Sequence, residues 1–355
     1  MQRHIRTIGK LGLVAPLVLT LGAFRWSGSS DPNNRSAATL AVSWLRTQQL
    51  GDSSFETAGF AGFETPDAVL AIAEVAQVGP KWNTKRARAA VKAIKINGKS
   101  PLHAVDDFVD AGIDAGQAAK VALLVAAPLG LSITDFDPDN DGGVNLQQIV
   151  ADGQHLDGSF GPTGTLNATL YAMLAMNPLD LLMPTNSITF VRAAQEAGGG
   201  WNYAGDATGD YADVDTTSSA IEALIAAGVA PSDPAVRKGL AWLATQYSPS
   251  TGAWSSFGAD DANSTAVAMI AISAAGYDPT APCWRDAVAS SLKNDAYPSP
   301  AAWLRSQQLG SGRIASANDA YGVNTFATSQ SVEALMRGFL PFVSAPRQHC
   351  KAPKV

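Results

Sequence analysis

The sequence predicts an all-α fold in which six helix-pair repeats close into a ring, an α6/α6 toroid, and two observations support this. A short turn pattern recurs at a spacing of about 50 residues, which is typical of stacked helix pairs. Each turn leads to an Ala-rich helix that is apolar or small nearly all round, and such a helix must be buried on several sides. Six inner helices inside six outer ones would bury them all. An open solenoid would use the same pattern, but it needs polar capping ends, which the sequence does not show clearly.

The recurring turn joins a glutamine at the end of a helix, a Gly-rich turn and a large apolar residue, usually six positions after the glutamine. Glycine adopts the left-handed conformation that ends a helix, and the apolar residue folds back onto the helix pair. The pattern runs from Gln49 to Phe55, Gln154 to Phe160, Gln195 to Trp201, Gln246 to Trp254 (with two extra residues) and Gln308 to Ile314.

The predicted inner helices follow these turns, and most open on an Asp, Asn or Thr suited to helix capping. We expect them to begin near Thr65, Gly116, Thr165, Asp213, Asn263 and Asn324. More amphipathic segments, such as 37–49, 235–247 and 300–308, form the outer layer with one solvated face.

The N-terminal residues have the composition of an export signal. Arg3, Arg6 and Lys10 precede an apolar run from Leu11 to Phe24, which is the order of a secretory signal, and the run is short for a membrane span. We therefore predict 1–26 as a signal peptide or retained anchor, 36–345 as one toroid domain and 346–355 as a C-terminal tail. The protein is then secreted or held at the cell envelope, where the N-terminus is its means of membrane association.

Charge and cysteine content restrict the partners. The chain has 25 Lys and Arg against 31 Asp and Glu, a formal net charge of −6, which excludes nucleic acid as a partner. The two cysteines are Cys283 and Cys350. In an oxidising compartment they favour one disulfide; in a protein that is not exported they would be two free buried thiols.

The turn pattern, together with Asp213-Val214-Asp215-Thr216-Thr217 and Asn263-Ser264-Thr265-Ala266, resembles the prenyltransferase and squalene-cyclase repeat, the QW motif of terpenoid cyclases. The resemblance covers nearly the whole chain after the predicted signal. It implies the α6/α6 toroid that terpene cyclases share with protein prenyltransferase β subunits, complement thioester domains and cobalamin carriers. A shared fold does not by itself imply an activity.

The resemblance suggests one catalytic candidate. A class II terpene cyclase protonates an alkene or epoxide with the middle Asp of a D-x-D-D motif, a carboxylic acid kept protonated by its surroundings. Asp213 and Asp215 match the first and middle acids of that motif, and Thr216 replaces the last one. Asp215 is then the general acid. The alternative is that Asp215 and Thr216 only cap the fourth inner helix.

Aromatic and acidic residues in the loops before the inner helices suggest a ligand site at one rim of the toroid. Its predicted residues are Trp201, Tyr203, Tyr211, Trp254, Phe257, Tyr321 and Asp261. Our main hypothesis is a secreted binder of a small, partly hydrophobic ligand, and the resemblance to carriers implies a corrinoid such as cobalamin. The alternatives are the class II cyclase and a cell-surface interaction module, and paired acids in such loops would also suit glycoside chemistry.

Residues 137–145 fit the first nine positions of a calcium-binding loop, which makes calcium the candidate cofactor. The predicted ligands are Asp137, Asp139, Asp141, the backbone carbonyl of Gly143 and Asn145. Gln148 stands at position twelve, where such loops carry a bidentate acid. The alternative is a Gly-rich turn between helices with solvated acids.

Overall fold

The computed structural model describes residues 31–348 except 58, 80, 163, 294, 320–324, 337–339, 341–342 and 344. The predicted signal segment, Tyr321 and Cys350 lie outside the described residues, so the signal peptide, the role of Tyr321 and the disulfide of Cys283 stay predictions. The regular secondary structure of the described residues is helical, apart from one short hairpin and a few isolated bridges, which confirms the all-α prediction.

The helices follow one another with short connections. In chain order they are α1 (Pro32–Leu45), α2 (Thr65–Val75), α3 (Thr84–Lys92), α4 (Pro101–Asp110), α5 (Ala115–Val121), α6 (Ala127–Leu129), α7 (Leu146–Asp152), α8 (Leu166–Ala175), α9 (Thr185–Ala193), α10 (Val214–Ala226), α11 (Pro234–Gln246), α12 (Ala262–Ala274), α13 (Cys283–Val288), α14 (Pro300–Ser306) and α15 (Phe326–Leu335). The hairpin strands are β1 (Trp254–Ser256) and β2 (Ala259–Asp261), paired antiparallel.

The inner helices pack side by side into a closed ring within the described part of the chain. α2 packs on the helical stretch that follows α5, α5 packs on α8, and contacts continue through α10, α12 and α15 back to α2. All six begin within two residues of the predicted starts. α3 and α4 both fall between α2 and α5, and α13 falls between α12 and α14, so the outer layer does not alternate strictly and the count of six repeats stays a prediction.

The stretch that joins α5 to α6 is a wider helical turn. Residues Ala122–Ala126 are π-helical, and Pro128 follows in the same continuous helix, which ends on Gly130 at φ +60°. Proline lacks an N–H and its ring crowds the preceding turn, so a wider turn relieves the strain that a regular α-helix would impose. The inner helix can therefore extend from α5 through α6.

The recurring turn ties each repeat to the next, as the turn at Gln195 shows. The Gln195 Nε2 group donates to Gly199 O at 2.8 Å and to Ala235 O of α11 at 2.9 Å. Gly199 has φ +99°, and a Cβ there would lie 2.7 Å from Lys238 O. The glutamine therefore closes its own turn and holds the next outer helix, while the glycine allows that helix to approach.

Each apolar residue that ends a turn is held by a buried threonine of the following inner helix. The Trp201 N–H donates to Thr217 Oγ1 at 2.9 Å. The same bond joins Phe55 to Thr65, Phe160 to Thr169, Trp254 to Thr265 and Ile314 to Thr328. A buried backbone N–H needs such a partner, so these threonines fix the turn onto the inner ring.

Contacts between the first and last repeats close the ring; we call them the seam. The Gln308 Nε2 group donates to Ala37 O of α1 at 2.8 Å and to Gly312 O at 2.9 Å. Arg305 bonds Asn34, and the Thr325 N–H donates to Glu64 Oε2 at 2.6 Å. The seam therefore uses the same glutamine contacts as an internal junction.

The predicted bounds of the toroid domain, 36 and 345, stay predictions, and the described chain is helical before the first bound and hydrogen-bonded beyond the second. α1 begins at Pro32, before the predicted start at 36. The Gln348 N–H donates to Gly276 O at 2.8 Å, so the beginning of the predicted tail lies against the turn after α12. Among the described residues, no helix is both long and apolar enough to cross a membrane.

Candidate active site

A cavity of about 840 Å³ lies at the N-terminal ends of the inner helices. A volume of this size is typical of a small-molecule site. Its aromatic and aliphatic lining comes from Phe60, Phe63, Tyr171, Tyr203, Val267 and Phe326. Its polar lining comes from Asp114, Gln117, Lys120, Thr165, Asn167, Asp215, Thr216, Ser219, Asn263, Ser316, Asn318, Asp319 and Gln330.

Asp215 presents a carboxyl group to this cavity from the first turn of α10. Its Oδ1 is shielded from solvent and has no hydrogen-bond partner among the described residues. Removal from water raises the pKa of Asp215 to about 7, and a hydrogen bond with Ser264 offsets only part of this rise. A carboxyl group with this pKa is half protonated near neutral pH, which suits a general acid.

The neighbouring acids Asp213 and Asp261 are the helix caps. Asp213 accepts from the Thr216 N–H at 2.6 Å and from Thr216 Oγ1 at 2.8 Å, and it begins α10. Asp261 accepts from the Ser264 N–H at 3.0 Å and begins α12. The alternative that Asp215 is itself the cap is therefore wrong, because Asp213 fills that role.

Lys120 is buried in an aromatic cage beside the cavity. Its Nζ lies 5.2, 5.5 and 5.7 Å from the ring centroids of Phe63, Phe326 and Tyr171. It pairs with Asp67 Oδ2 at 2.8 Å and donates to Phe63 O at 2.6 Å. Burial alone would lower the pKa of Lys120, but the Asp67 carboxylate outweighs it and holds the pKa above its usual value. Lys120 therefore stays protonated inside the cage, as half of an ion pair with Asp67.

A chain of polar side chains continues from this ion pair to α12. The Gln330 Nε2 group donates to Asp67 Oδ1 at 3.2 Å, and Asn263 donates to Gln330 Oε1. Lys120, Gln330 and Asn263 all line the cavity. The chain links α5, α2, α15 and α12, so it fixes the rotation of four inner helices around one site.

Three fully enclosed glutamates lie deeper on the inner helices. Glu222 stands seven residues after Asp215 on the same face of α10, and Glu74 and Glu333 occupy α2 and α15. Burial raises the pKa of Glu222 to about 8 and that of Glu74 and Glu333 well above the usual value. Each leaves an oxygen without a partner in the described structure. At neutral pH these groups hold their protons.

The predicted ligand-binding residues do not all line the cavity. Tyr203 does line the cavity and is 71% exposed. Trp201 and Trp254 are 0% exposed, and their indole N–H groups donate to Val191 O at 2.7 Å and Leu243 O at 2.8 Å. Their predicted position at the cavity is therefore corrected, because both fill the core between the helical layers.

The remaining predicted residues lie around the rim. The Tyr211 hydroxyl donates to Asp206 Oδ2 at 3.2 Å outside the cavity lining. Phe257 is 97% exposed at the tip of the hairpin. Asp261 lies behind the lining and accepts from Asn318 Nδ2 at 3.0 Å. These three side chains support the rim or face solvent.

The sequence analysis missed the Lys120 cage and the polar chain beside it. One signal was available: Lys120 is the one charged residue in the apolar segment 115–129. A charge is rarely buried unless it is paired, so a lysine inside a predicted buried helix indicates a partner and a specific site.

The comparisons with known proteins agree with this architecture. No family model matches the sequence, and no curated protein matches it. The type II terpene cyclase MstE from Scytonema is similar in structure, with 14% identity over 86% of this chain and 97% of that chain and a TM-score of 0.52.

Two further solved structures give the same result. A variant of MstE in complex with its substrate, geranylgeranyl dihydroxybenzoate, has 15% identity over 87% of this chain and 98% of that chain and a TM-score of 0.52. A protein from Actinoplanes has 17% identity over 86% and 99% and a TM-score of 0.52. The chain therefore has the α/α toroid fold of the terpene cyclases, which confirms the predicted fold class; at these identities the likeness shows the fold alone.

Proposed function

We propose that this protein is a class II terpene cyclase-like enzyme in which Asp215 protonates a double bond or an epoxide of a polyprenyl chain. The Asp215 carboxyl group is the main support for this function. It borders the cavity, has a pKa of about 7 and leaves one oxygen without a partner among the described residues. Poor solvation of the carboxylate keeps the acid protonated near neutral pH, so that a proton is available for transfer.

The lining of the cavity supports the same reaction. Protonation of an alkene leaves a carbocation, which the faces of aromatic rings stabilise. Phe60 and Tyr203 line the cavity together with Val267. A cation formed next to these rings would be stabilised while the chain cyclises.

The substrate class follows from the charge inside the cavity. Lys120 presents a buried ammonium beside the aromatic groups, and Asp67 Oδ2 and Phe63 O accept two of its three N–H donors. A prenylated molecule with an acidic head group would place its chain against the rings and its anion toward this charge. The Scytonema cyclase acts on geranylgeranyl dihydroxybenzoate, and a prenylated phenolic acid is accordingly our first substrate to test.

We expect Asp215→Asn to abolish cyclisation while leaving the fold intact. Asparagine has nearly the same shape but no acidic proton, so turnover should fall by about 100-fold or more, the usual contribution of a general acid. The assay is product analysis by mass spectrometry with geranylgeranyl dihydroxybenzoate, squalene and geranylgeranyl diphosphate. The rate of the wild type should also decline above about pH 7, as Asp215 loses its proton.

The matched control is Asp210→Asn, which removes an exposed acid from the loop before α10. It should retain full turnover and the same melting temperature. Equal turnover by Asp215→Asn and Asp210→Asn would contradict the proposal, and so would the absence of turnover by the wild type on all three substrates.

Ligand binding without turnover is a second function that one observation favours. Lys120 already occupies the faces of three aromatic rings, which would otherwise be available to a carbocation. A carrier would need only the cavity and this charge. Titration with cobalamin, followed by melting temperature, tests the corrinoid hypothesis; an unchanged temperature at saturating concentration would end it.

We retain export to the cell envelope as a proposal supported by the N-terminal composition. Arg3, Arg6 and Lys10 with the apolar run that follows are the support for it. An interaction module at the cell surface, using exposed rim aromatics such as Tyr211 and Phe257, is the remaining hypothesis. Cell fractionation with mass spectrometry of the mature N-terminus tests the export proposal.

A further inference from the structure

The loop between α6 and α7 brings three predicted calcium ligands together. The Asp141 N–H donates to Asp137 Oδ1 at 3.0 Å, and Phe136 and Val144 bond each other across the loop. Asn145, predicted as a ligand, instead caps α7 by accepting from the Gln148 N–H at 2.9 Å. Gln148 at position twelve turns away and donates to Asp152 Oδ1 at 2.7 Å. The loop alone therefore lacks its last ligand.

A fourth carboxylate reaches the loop from a different helix. Asp106 on α4 is 1% exposed, and its Oδ2 accepts from the Asp139 N–H at 3.1 Å. One oxygen from each of Asp106, Asp137, Asp139 and Asp141 lies within 4.8 Å of the others. Oxygens bound to one calcium ion at 2.3–2.6 Å lie at most about 5 Å apart, so all four fit a single ion.

The buried oxygens of this group lack partners within the described chain. Asp106 Oδ1 and Asp139 Oδ1 are both shielded from solvent and accept no hydrogen bond. Asp139 Oδ2 contacts the His103 imidazole, and no Lys or Arg of the described residues pairs with any of the four acids. Clustered carboxylates with buried oxygens are strongly destabilising unless a proton or a cation lies among them. A cation with several oxygen ligands would satisfy all four acids at once.

We propose that Asp106 completes a calcium site with Asp137, Asp139 and Asp141, in place of the missing acid at position twelve of the loop. Four carboxylate oxygens and an irregular loop suit calcium, which accepts flexible oxygen coordination, better than magnesium, which requires a regular octahedron. The bound ion would join α4 to the loop that leads into α7 and so clamp two outer helices together.

The experiment is calcium titration of the whole protein by calorimetry, with melting temperature measured in CaCl₂ and in EGTA. We expect one ion per chain and a higher melting temperature with calcium. Asp106→Asn should weaken binding by about tenfold or more, because affinity depends steeply on the number of charged ligands. Asp141→Asn should weaken it similarly, and since Asp141 is exposed this second variant does not disturb the core.

The control is Asp110→Asn, which removes an exposed acid from α4, one turn beyond Asp106. It should bind calcium within about twofold of the wild type, since it only reduces the general negative field. Wild-type protein that binds no calcium would overturn the proposal, as would equal affinity in Asp106→Asn. Binding of ZnCl₂ but not CaCl₂ would also overturn it, in favour of a site on His103.

Discussion

Asp215 and Glu222 lie on the same face of α10, yet their environments suit different roles. Asp215 borders the cavity, so its proton is accessible to a ligand. A hydrogen bond with Ser264 partly offsets the rise in its pKa. Glu222 lies two turns deeper, where burial alone raises its pKa to about 8. Asp215 is therefore open to the cavity, as the proposed general acid must be, whereas Glu222 keeps its proton inside the ring.

Stability should therefore decrease as the pH rises. An acid whose pKa is higher in the folded state than in the unfolded chain binds more protons when folded, so the free energy of unfolding falls between the two pKa values. For Glu222 that window runs from 4.5 to about 8. Each pH unit costs about 1.4 kcal/mol per group. Urea unfolding at pH 5, 6.5 and 8 measures the slope.

Glu222→Gln should flatten this slope, because glutamine stays neutral at every pH. Asp210→Asn, which changes an exposed acid, should keep the slope of the wild type. Identical slopes in the wild type and in Glu222→Gln would show that Glu222 does not hold a proton in the folded state.

The sequence was sufficient for some site residues and not for others. A local motif singled out Asp215, and the structure places it beside the cavity, while its catalytic role stays a proposal. The cage around Lys120 could not be predicted, because Phe63, Tyr171 and Phe326 come from distant segments. Their contact depends on how each helix is rotated within the ring, and composition does not specify that rotation. The aromatic residues next to the turns were misplaced because a buried tryptophan and a ligand-binding one look alike in sequence.

The turn glycines control how closely neighbouring repeats pack. Gly199 combines a positive φ with a close approach to Lys238 O in α11. Gly228 has φ +77° after α10 but no atom within 4 Å of its Cβ position. Alanine substitutions at the two positions therefore distinguish the free energy lost to backbone conformation from that lost by displacing a helix.

We expect Gly199→Ala to destabilise the protein more than Gly228→Ala. The left-handed conformation costs about 1 kcal/mol for alanine at either site. At Gly199 the displaced backbone of α11 adds about 1–3 kcal/mol. Chemical denaturation gives both values, and an equal loss in the two variants would mean that α11 moves away without cost.

Much of the helical architecture could be predicted because its signals are local. A glutamine, a glycine and an apolar residue mark each turn, within seven positions in four turns and nine in the turn at Gln246, and the inner helices begin close to where they were expected. The irregular outer layer could not be predicted in the same way. α3 and α4 occupy a stretch where the glutamine turn is missing, so no repeated signal marked them.

The seam makes the first and last repeats neighbours. Gln308 makes the same pair of bonds across the seam that Gln195 makes at an internal junction. An open array would leave its terminal repeats less protected than its central ones. In a closed ring, every junction has two neighbours.

Gln308→Leu and Gln195→Leu should therefore reduce the free energy of unfolding to a similar extent. Each removes two hydrogen bonds from a half-buried glutamine, which costs about 1–3 kcal/mol. Hydrogen exchange should show α1 and α15 opening together with α8 and α10 in the wild type. Faster exchange confined to α1 and α15, or a much smaller effect of Gln308→Leu, would contradict closure.

The seam also determines when the newly synthesised chain can complete its folding. Ala37 and Asn34 in α1 are among the first residues of the toroid to be synthesised, but their partners Gln308 and Arg305 come 271 residues later. Until the last repeat is made, α1 has one face without its partner. Completion of the native state must wait for the C-terminal repeat, and a nascent chain with an unpaired apolar face is prone to aggregate. A chaperone that keeps the chain unfolded until synthesis ends would therefore suit this topology.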